Sequence, residues 1–382
     1  MIGFPDKLRL RLKERVDNDA FRSLPMPNNL VDLSSNDYLG LSRESAISRA
    51  AMGILEQRDI CGNGSTGSRL LTGNSVLYGE LESLLAEYFD NGAALVFNSG
   101  YDANIGFFSA VPQRGDIILY DELCHASIRD GIGMGLAQGY KFGHNDLDDL
   151  GRKIERVRKK HGDVDIYVVT ESVFSMDGDV PDLGAFVDLC GRWACYPIVD
   201  EAHAVGVFGQ WGRGLLNQLG LQHRVFARIV TFGKALGCHG AAILGGESLK
   251  NYLVNFARSF IYTTALSPHT LATAIAAFGH MSSSVLEQQR LRENIIFFKE
   301  QLRALRLDPY FIPSDSAIHC CVIAGNEKVR QYSRLLYGNG FDVKPILSPT
   351  VPVGKERLRF CLHSFNTERE LGQVLATLSG ML

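Results

Sequence analysis

The chain has 382 residues, 46% of them hydrophobic and 21% charged, which is enough apolar material for a large buried core and for two or three domains. A formal net charge of −3 excludes the basic footprint of a nucleic-acid binder. No apolar run reaches the ~18–20 residues that a membrane helix needs, so a small-molecule function in the cytoplasm is the starting expectation.

The first segment, Met1 to Val16, mixes Lys7, Arg9, Arg11, Lys13 and Arg15 with Asp6 and Glu14. Acidic residues argue against a targeting peptide. Phe4, Leu8, Leu12 and Val16 recur four apart, which predicts a short amphipathic helix packed on the body. From about residue 93, short runs rich in Val and Ile alternate with helical patterns. Ala94–Phe97, Asp116–Tyr120, Val164–Thr170, Tyr196–Asp200 and Arg228–Phe232 read as strands. Between them, Leu147, Leu150, Ile154 and Val157 form one helical stripe, capped by Asn145, and Leu183, Phe186, Val187, Cys190 and Trp193 form another. Strands alternating with helices predict an α/β fold with a largely parallel sheet covered on both faces.

A long helical region follows from Ser267 to Leu305. Ala317–Ile323 and Arg357–Leu362 read as strands with a helix near Asn326–Leu336 between them. A last helix starts at Thr367, with Glu370 completing a capping box and Leu371, Val374, Leu375 and Leu378 on its buried face. The organisation expected is an N-terminal arm over residues 1–45 lying across a large domain, that domain over 46–285, and a small C-terminal α/β domain over 286–382. None of the eight cysteines forms a C-x-x-C pair, and His203 and the other histidines lack the spacing of a zinc site, so free thiols and no metal are expected.

Four polar groups stand at predicted strand ends, where open α/β sheets place their ligands. They are Asp200-Glu201-Ala202-His203, Thr231-Phe232-Gly233-Lys234, Asn98-Ser99-Gly100-Tyr101 and Glu171-Ser172-Val173-Phe174-Ser175. Each has a plain structural explanation as a cap or a turn when taken alone. Taken together they supply what pyridoxal 5′-phosphate (PLP) requires. Lys234, among glycine and apolar neighbours, offers the amine for an imine with the cofactor's aldehyde. Asp200 offers the carboxylate that keeps the pyridine nitrogen protonated. His203 and Ser175 suit the phenolic oxygen, and His125 suits the ring face. Gly100, Tyr101 and Thr231 suit the phosphate at a helix start. The run Gly131-Ile132-Gly133-Met134-Gly135 lacks the third glycine of the dinucleotide fingerprint and follows no strand directly, so it reads as helix packing or a helix end.

These residues resemble the α-oxoamine synthases of PLP fold type I, and the resemblance runs in order along essentially the whole chain. Ser34-Ser35-Asn36-Asp37-Tyr38-Leu39-Gly40, Gly64-Ser65-Thr66-Gly67-Ser68-Arg69, Pro349-Thr350-Val351-Pro352 and Glu356-Arg357-Leu358-Arg359-Phe360 extend it. It implies a mostly parallel sheet of the seven-stranded type and a homodimer with the active site at its interface. It also implies decarboxylating condensation of a small amino acid with an acyl thioester. The motifs are most similar to the members that join L-alanine to a pimeloyl thioester, on coenzyme A or an acyl carrier protein, in biotin biosynthesis. Sister synthases that use glycine, an aminotransferase and a non-catalytic partner subunit are the alternatives. The resemblance makes Lys234, His125 and Asp200 catalytic. It gives Arg359 the amino acid's carboxylate, lines the substrate site with Asn36 and Thr350, and gives Arg22 the distal carboxylate of the pimeloyl chain. Thr263 and Thr264 would reach the partner's phosphate.

Overall fold

The computed structural model describes residues 3–382. Its strands, in chain order, are β1 (Val31–Asp32), β2 (Ala93–Phe97), β3 (Ile117–Asp121), β4 (Gln138–Phe142), β5 (Ile166–Glu171), β6 (Tyr196–Asp200), β7 (Ala227–Thr231), β8 (Ala241–Gly245), β9 (Ile318–Val322), β10 (Phe341–Asp342), β11 (Lys344–Ile346) and β12 (Arg357–Cys361). The chain divides into two compact units. One comprises residues 36–175 and 180–289; the other comprises the chain up to Ser35, residues 176–179 and residues 290–382.

The larger unit holds a seven-stranded sheet in the order β2-β8-β7-β6-β5-β3-β4. All neighbours pair in parallel except β8, which runs antiparallel to both β2 and β7. Every residue of β2 and β5 is buried, as expected of strands covered on both faces. The period of two then sends alternate residues to opposite cores. Ile118, Val169, Ile198 and Ile229 pack with Phe107 and Phe108 on one face. Ile117, Leu119, Val168 and Val199 pack with Leu183 and Phe186 on the other. Because β2, β7, β6, β5 and β3 all point the same way, their C-terminal ends share one edge of the sheet.

Two strands of this sheet were not among those expected from the sequence. β4 is an edge strand whose first four residues are exposed, and β8 is a buried apolar run, Ala-Ala-Ile-Leu, enclosed by glycines at Gly240 and Gly245. The helix expected from Leu147 runs Leu147–His161, but its cap is Asp146, which accepts from Asp149 N; Asn145 sits one residue earlier with φ 53°. The long helical region divides into Pro268–Ser283 and Leu286–Ala304. Gly131 packs against the neighbouring helix Gly100–Ala110, since a Cβ there would stand 2.9 Å from Asn104 O. The glycine run is helix packing, as expected.

The smaller unit holds a three-stranded antiparallel sheet, β11-β12-β9, and a short parallel pair, β1-β10. The expected arm over residues 1–45 is corrected here. The chain up to Ser35 groups with the C-terminal segment, because β1 pairs with β10 and Cys361 N donates to Leu33 O at 2.8 Å. The C-terminal boundary falls at 289/290 in place of 285/286. The first helix, Asp6–Asp17, buries no residue; Phe4, Leu8, Leu12 and Val16 are 45–57% exposed, so the apolar stripe expected to pack on the body has no cover among the described residues. Met1 of that expected segment lies outside the described residues. The capping box on the last helix is present, with Thr367 and Glu370 bonding reciprocally.

Candidate active site

One cavity of about 180 Å³ opens at the shared strand-end edge of the larger unit, lined by Gly100, Tyr101, Asn104, His125, Ser127, Glu171, Asp200, Ala202, His203, Ile229, Thr231 and Lys234. Seven of the expected residues therefore meet although their numbers span Gly100 to Lys234.

At the end of β6, Asp200 Oδ1 accepts the Ala202 amide at 2.9 Å, which turns the chain and presents the carboxylate sideways. That turn brings round His203, whose Nε2 lies 2.7 Å from Lys234 Nζ. The other imidazole nitrogen, Nδ1, is 2.7 Å from the hydroxyl of the fully buried Tyr38, which in turn donates to Asn36 Oδ1 at 3.2 Å. An ammonium has only donors, so a charged Lys234 makes Nε2 the acceptor and leaves Nδ1–H to donate to Tyr38. Lys234 itself stands half-buried in the turn after β7.

His125 caps the helix Ala126–Met134 after β3, its Nδ1 accepting from Ser127 N at 3.2 Å and lying 2.7 Å from Ser127 Oγ. The ring is partly exposed, but the protein packed around it disfavours its charged form and lowers its pKa; the Asp200 carboxylate opposes this. The His125 amide donates to Glu171 Oε1 at 2.5 Å. Glu171, at the end of β5 and paired in register with Asp200, is buried beside that second carboxylate. Burial first, then repulsion by Asp200, pushes its pKa up to about 8.

The helix Gly100–Ala110 points its N-terminus into the same cavity. Ser99 caps it, taking the Asp102 amide on its hydroxyl at 3.1 Å, which leaves the amides of Gly100 and Tyr101 as the natural donors to an anion. A Cβ on Gly100 would stand 3.6 Å from Thr231 Cβ and fill the space beside the Thr231 hydroxyl. Beneath the floor, Glu201 and Arg228 form an ion pair with neither side chain exposed. Glu201 also accepts the amides of Leu215 and Leu216 at 2.6 and 3.0 Å, so it anchors a helix start as well as the segment that follows Asp200.

Other expected residues stand elsewhere. Ser175 lies in the turn four residues beyond β5 and is not among the residues lining this cavity. Thr263 and Thr264 are held by Asn98, whose amide reaches Thr263 Oγ1 at 2.9 Å and Thr264 O at 2.7 Å. In the smaller unit, Arg359 is buried on β12, and Arg22 donates to Thr350 Oγ1 at 3.2 Å. The residues that sequence reasoning missed are Asn104, Ser127 and Glu171. Glu171 stood in one of the strand-end motifs, and Asn104 lies one helical turn after Gly100, which was the available signal.

This donor set fits PLP: an amine and a buried carboxylate in one cavity, an imidazole beside them, and a helix N-terminus next to a threonine hydroxyl. Placed at the strand-end edge of a mostly parallel seven-stranded sheet, it defines a PLP-dependent enzyme of fold type I. The family model for aminotransferase class I and II matches residues 28–378. The 8-amino-7-oxononanoate synthase of Emericella nidulans is 39% identical over 99% of this chain and 95% of its own length. That of Chlorobaculum parvum is 38% identical over 98% and 96%. Among solved structures, a serine palmitoyltransferase from S. paucimobilis with a bound PLP–myriocin aldimine superposes with a TM-score of 0.88 at 26% identity, covering 98% of this chain and 96% of that one. An 8-amino-7-oxononanoate synthase from Francisella tularensis gives 0.77 at 28%, covering 93% and 98%. The chain belongs to the α-oxoamine synthases, PLP-dependent members of the class I and II aminotransferase family.

Proposed function

We propose that this enzyme condenses L-alanine with a pimeloyl thioester, releasing CO2 and the carrier thiol, to give 8-amino-7-oxononanoate for biotin biosynthesis. The observation that carries the reading is Lys234 beside His203 in the cavity that Asp200 and His125 also line. It stands together with 38–39% identity to synthases of that name over nearly the whole chain. The structural likeness to serine palmitoyltransferase favours a second reading, a different amino-acid donor. The sequence relatives weigh more, because donor choice depends on a few side chains and superposition reports backbone.

Bound here, PLP supplies an aldehyde for amines and a ring that draws off the charge left when a bond to Cα breaks. We assign Asp200 to the pyridine nitrogen and His125 to the ring face. His203 and Ser175 go to the phenolic oxygen, and Gly100, Tyr101 and Thr231 to the phosphate. Lys234 Nζ anchors the cofactor and, once released, removes and returns the proton at the amino acid's Cα. The His203–Tyr38 pair holds an acceptor ready at Nζ, so the amine has a fixed place to return to. Arg359 takes the amino acid's carboxylate, a bidentate task for a guanidinium. Asn36 and Thr350 line the substrate site. Arg22, already bonded to Thr350, takes the distal carboxylate of the acyl chain.

The working form we propose is a homodimer in the cytoplasm, with Thr263 and Thr264 directed to the partner's phosphate. The exposed Leu8, Leu12 and Val16 of the first helix and Tyr262 at 72% exposure support a covering second copy. Eight cysteines with no disulfide among the described residues suit a reducing compartment. The deciding assay supplies alanine, glycine and serine in turn with acyl thioesters of several lengths. Alanine with pimeloyl thioester should give the highest kcat/KM; preference for glycine or serine would overturn the donor assignment.

A further inference from the structure

Four side chains from three elements form a hydrogen-bond line under the cavity. Asn104 Nδ2 is 3.0 Å from Asp200 Oδ2 and 3.0 Å from Ser127 Oγ; Ser127 Oγ is 2.7 Å from His125 Nδ1. We infer that Asn104 is a positioning residue whose single amide group both orients the Asp200 carboxylate and fixes which nitrogen of His125 carries the proton. The inference rests on the roles of Asp200 and His125 proposed above.

Elementary donor and acceptor counting sets every direction in the line. A carboxylate only accepts, so Asn104 must face it with its NH2 end and not its carbonyl. That group has two hydrogens, and Ser127 Oγ takes the second. The Ser127 backbone amide donates to His125 Nδ1 at 3.2 Å, which makes Nδ1 an acceptor, so the Ser127 hydroxyl gives its own hydrogen to that nitrogen as well. A nitrogen receiving two donors holds no hydrogen, so neutral His125 carries its proton on Nε2. Protonating Nδ1 would break both bonds.

The consequence is chemical. A neutral imidazole beside the ring does not repel the protonated pyridine nitrogen that Asp200 is there to hold, whereas a charged one would. Asp200 has its two oxygens tied separately, Oδ1 to the Ala202 amide and Oδ2 to Asn104, so the carboxylate cannot rotate freely. Asn104 is 2% exposed, Ser127 0% and Asp200 5%, which keeps water from substituting for these three, while His125 at the end of the line is exposed. Gly131 makes the line possible: a Cβ there would stand 2.9 Å from Asn104 O and hold the two helices apart. Asparagine is also a costly choice here, because its Oδ1 is buried with no hydrogen-bond partner among the described residues. An apolar residue of the same shape would carry no such cost. Stability alone therefore does not account for it.

The test uses the full chain with Asn104→Leu and Ser127→Ala, read by 15N NMR of the imidazole nitrogens and by PLP titration. In the wild-type apoenzyme, His125 should show a protonated Nε2 and a bare Nδ1 between pH 6 and 8. Ser127→Ala removes the hydroxyl donor but keeps the amide donor to Nδ1, so it should raise the Nδ1–H fraction measurably while PLP affinity stays within about two-fold, since the bond to Asp200 remains. Asn104→Leu should raise that fraction as well and weaken PLP binding on the order of ten-fold, the loss of one hydrogen bond to a charged group. A wild-type His125 protonated on Nδ1, or an Asn104→Leu chain with unchanged tautomer and affinity, would overturn the inference. If Asn104→Leu fails to fold, the tautomer in wild type and in Ser127→Ala still decides it. A wild type that takes up PLP without bonding to Lys234 would instead sink the reading of the site, a separate outcome.

Discussion

Glu171→Gln should remove the pH dependence of stability that the buried carboxyl imposes on the apoenzyme. Glu171 is buried at the end of β5 in register with Asp200, and burial with that like charge raises its pKa from 4.5 to about 8. In the folded chain it stays protonated up to about pH 8, whereas in the unfolded chain it ionises near pH 4.5. The folded state thus holds the extra proton, and its stability falls as pH rises between those values. At about 1.4 kcal/mol per pH unit, the whole interval corresponds to a ceiling of roughly 5 kcal/mol. Glutamine keeps an oxygen for the His125 amide and removes the titration. Urea unfolding of both apoenzymes from pH 5 to 9 should give similar stabilities at pH 5 and a growing advantage for the variant, levelling off above pH 8. Parallel curves across the range would refute the placement of a buried, protonated carboxyl here.

Glu201→Gln leaves Arg228 charged with neither side chain exposed to water, and should cost about 3–5 kcal/mol by denaturant midpoint; replacing both residues with methionine should recover most of it. Gly131→Ala should destabilise by about 1–3 kcal/mol and lower turnover, because the added Cβ meets Asn104 O and Phe108 Cβ at 2.9 and 3.0 Å. Gly133→Ala, with nothing within 4 Å of its Cβ, is the control and should be neutral or slightly stabilising. Arg359→Ala should raise the KM for alanine by about 10- to 100-fold with PLP uptake intact, as expected for losing charged hydrogen bonds; an unchanged KM would remove Arg359 from the substrate's carboxylate.

The parts of the site legible in the sequence are those that sit where a strand stops. Asp200, His203, Thr231 and Lys234 lie within one stretch of chain, and their neighbours Val199 and Val230 declare the strands. The hydrogen-bond line behind them was not legible, because Asn104 and Ser127 come from two helices whose contact depends on a glycine approach at Gly131; Glu171 stood at a strand end but was given no role there. In the fold, β4 and β8 escaped notice for opposite reasons: one is a polar edge strand, the other an interior apolar run of four residues set between glycines. Asp146 displaced Asn145 as a cap by one residue, within the ambiguity of two adjacent capping types. The first helix kept its period but not its expected cover, since periodicity reports an apolar face and not what lies against it.

The covalent attachment at Lys234 is tested most directly by borohydride reduction of the PLP-loaded enzyme followed by peptide mapping. A reduced pyridoxyl group on the peptide containing Lys234, absent from Lys234→Ala, is the result expected. Label on another lysine, or none with PLP demonstrably bound, would contradict the assignment on which the rest of the mechanism depends.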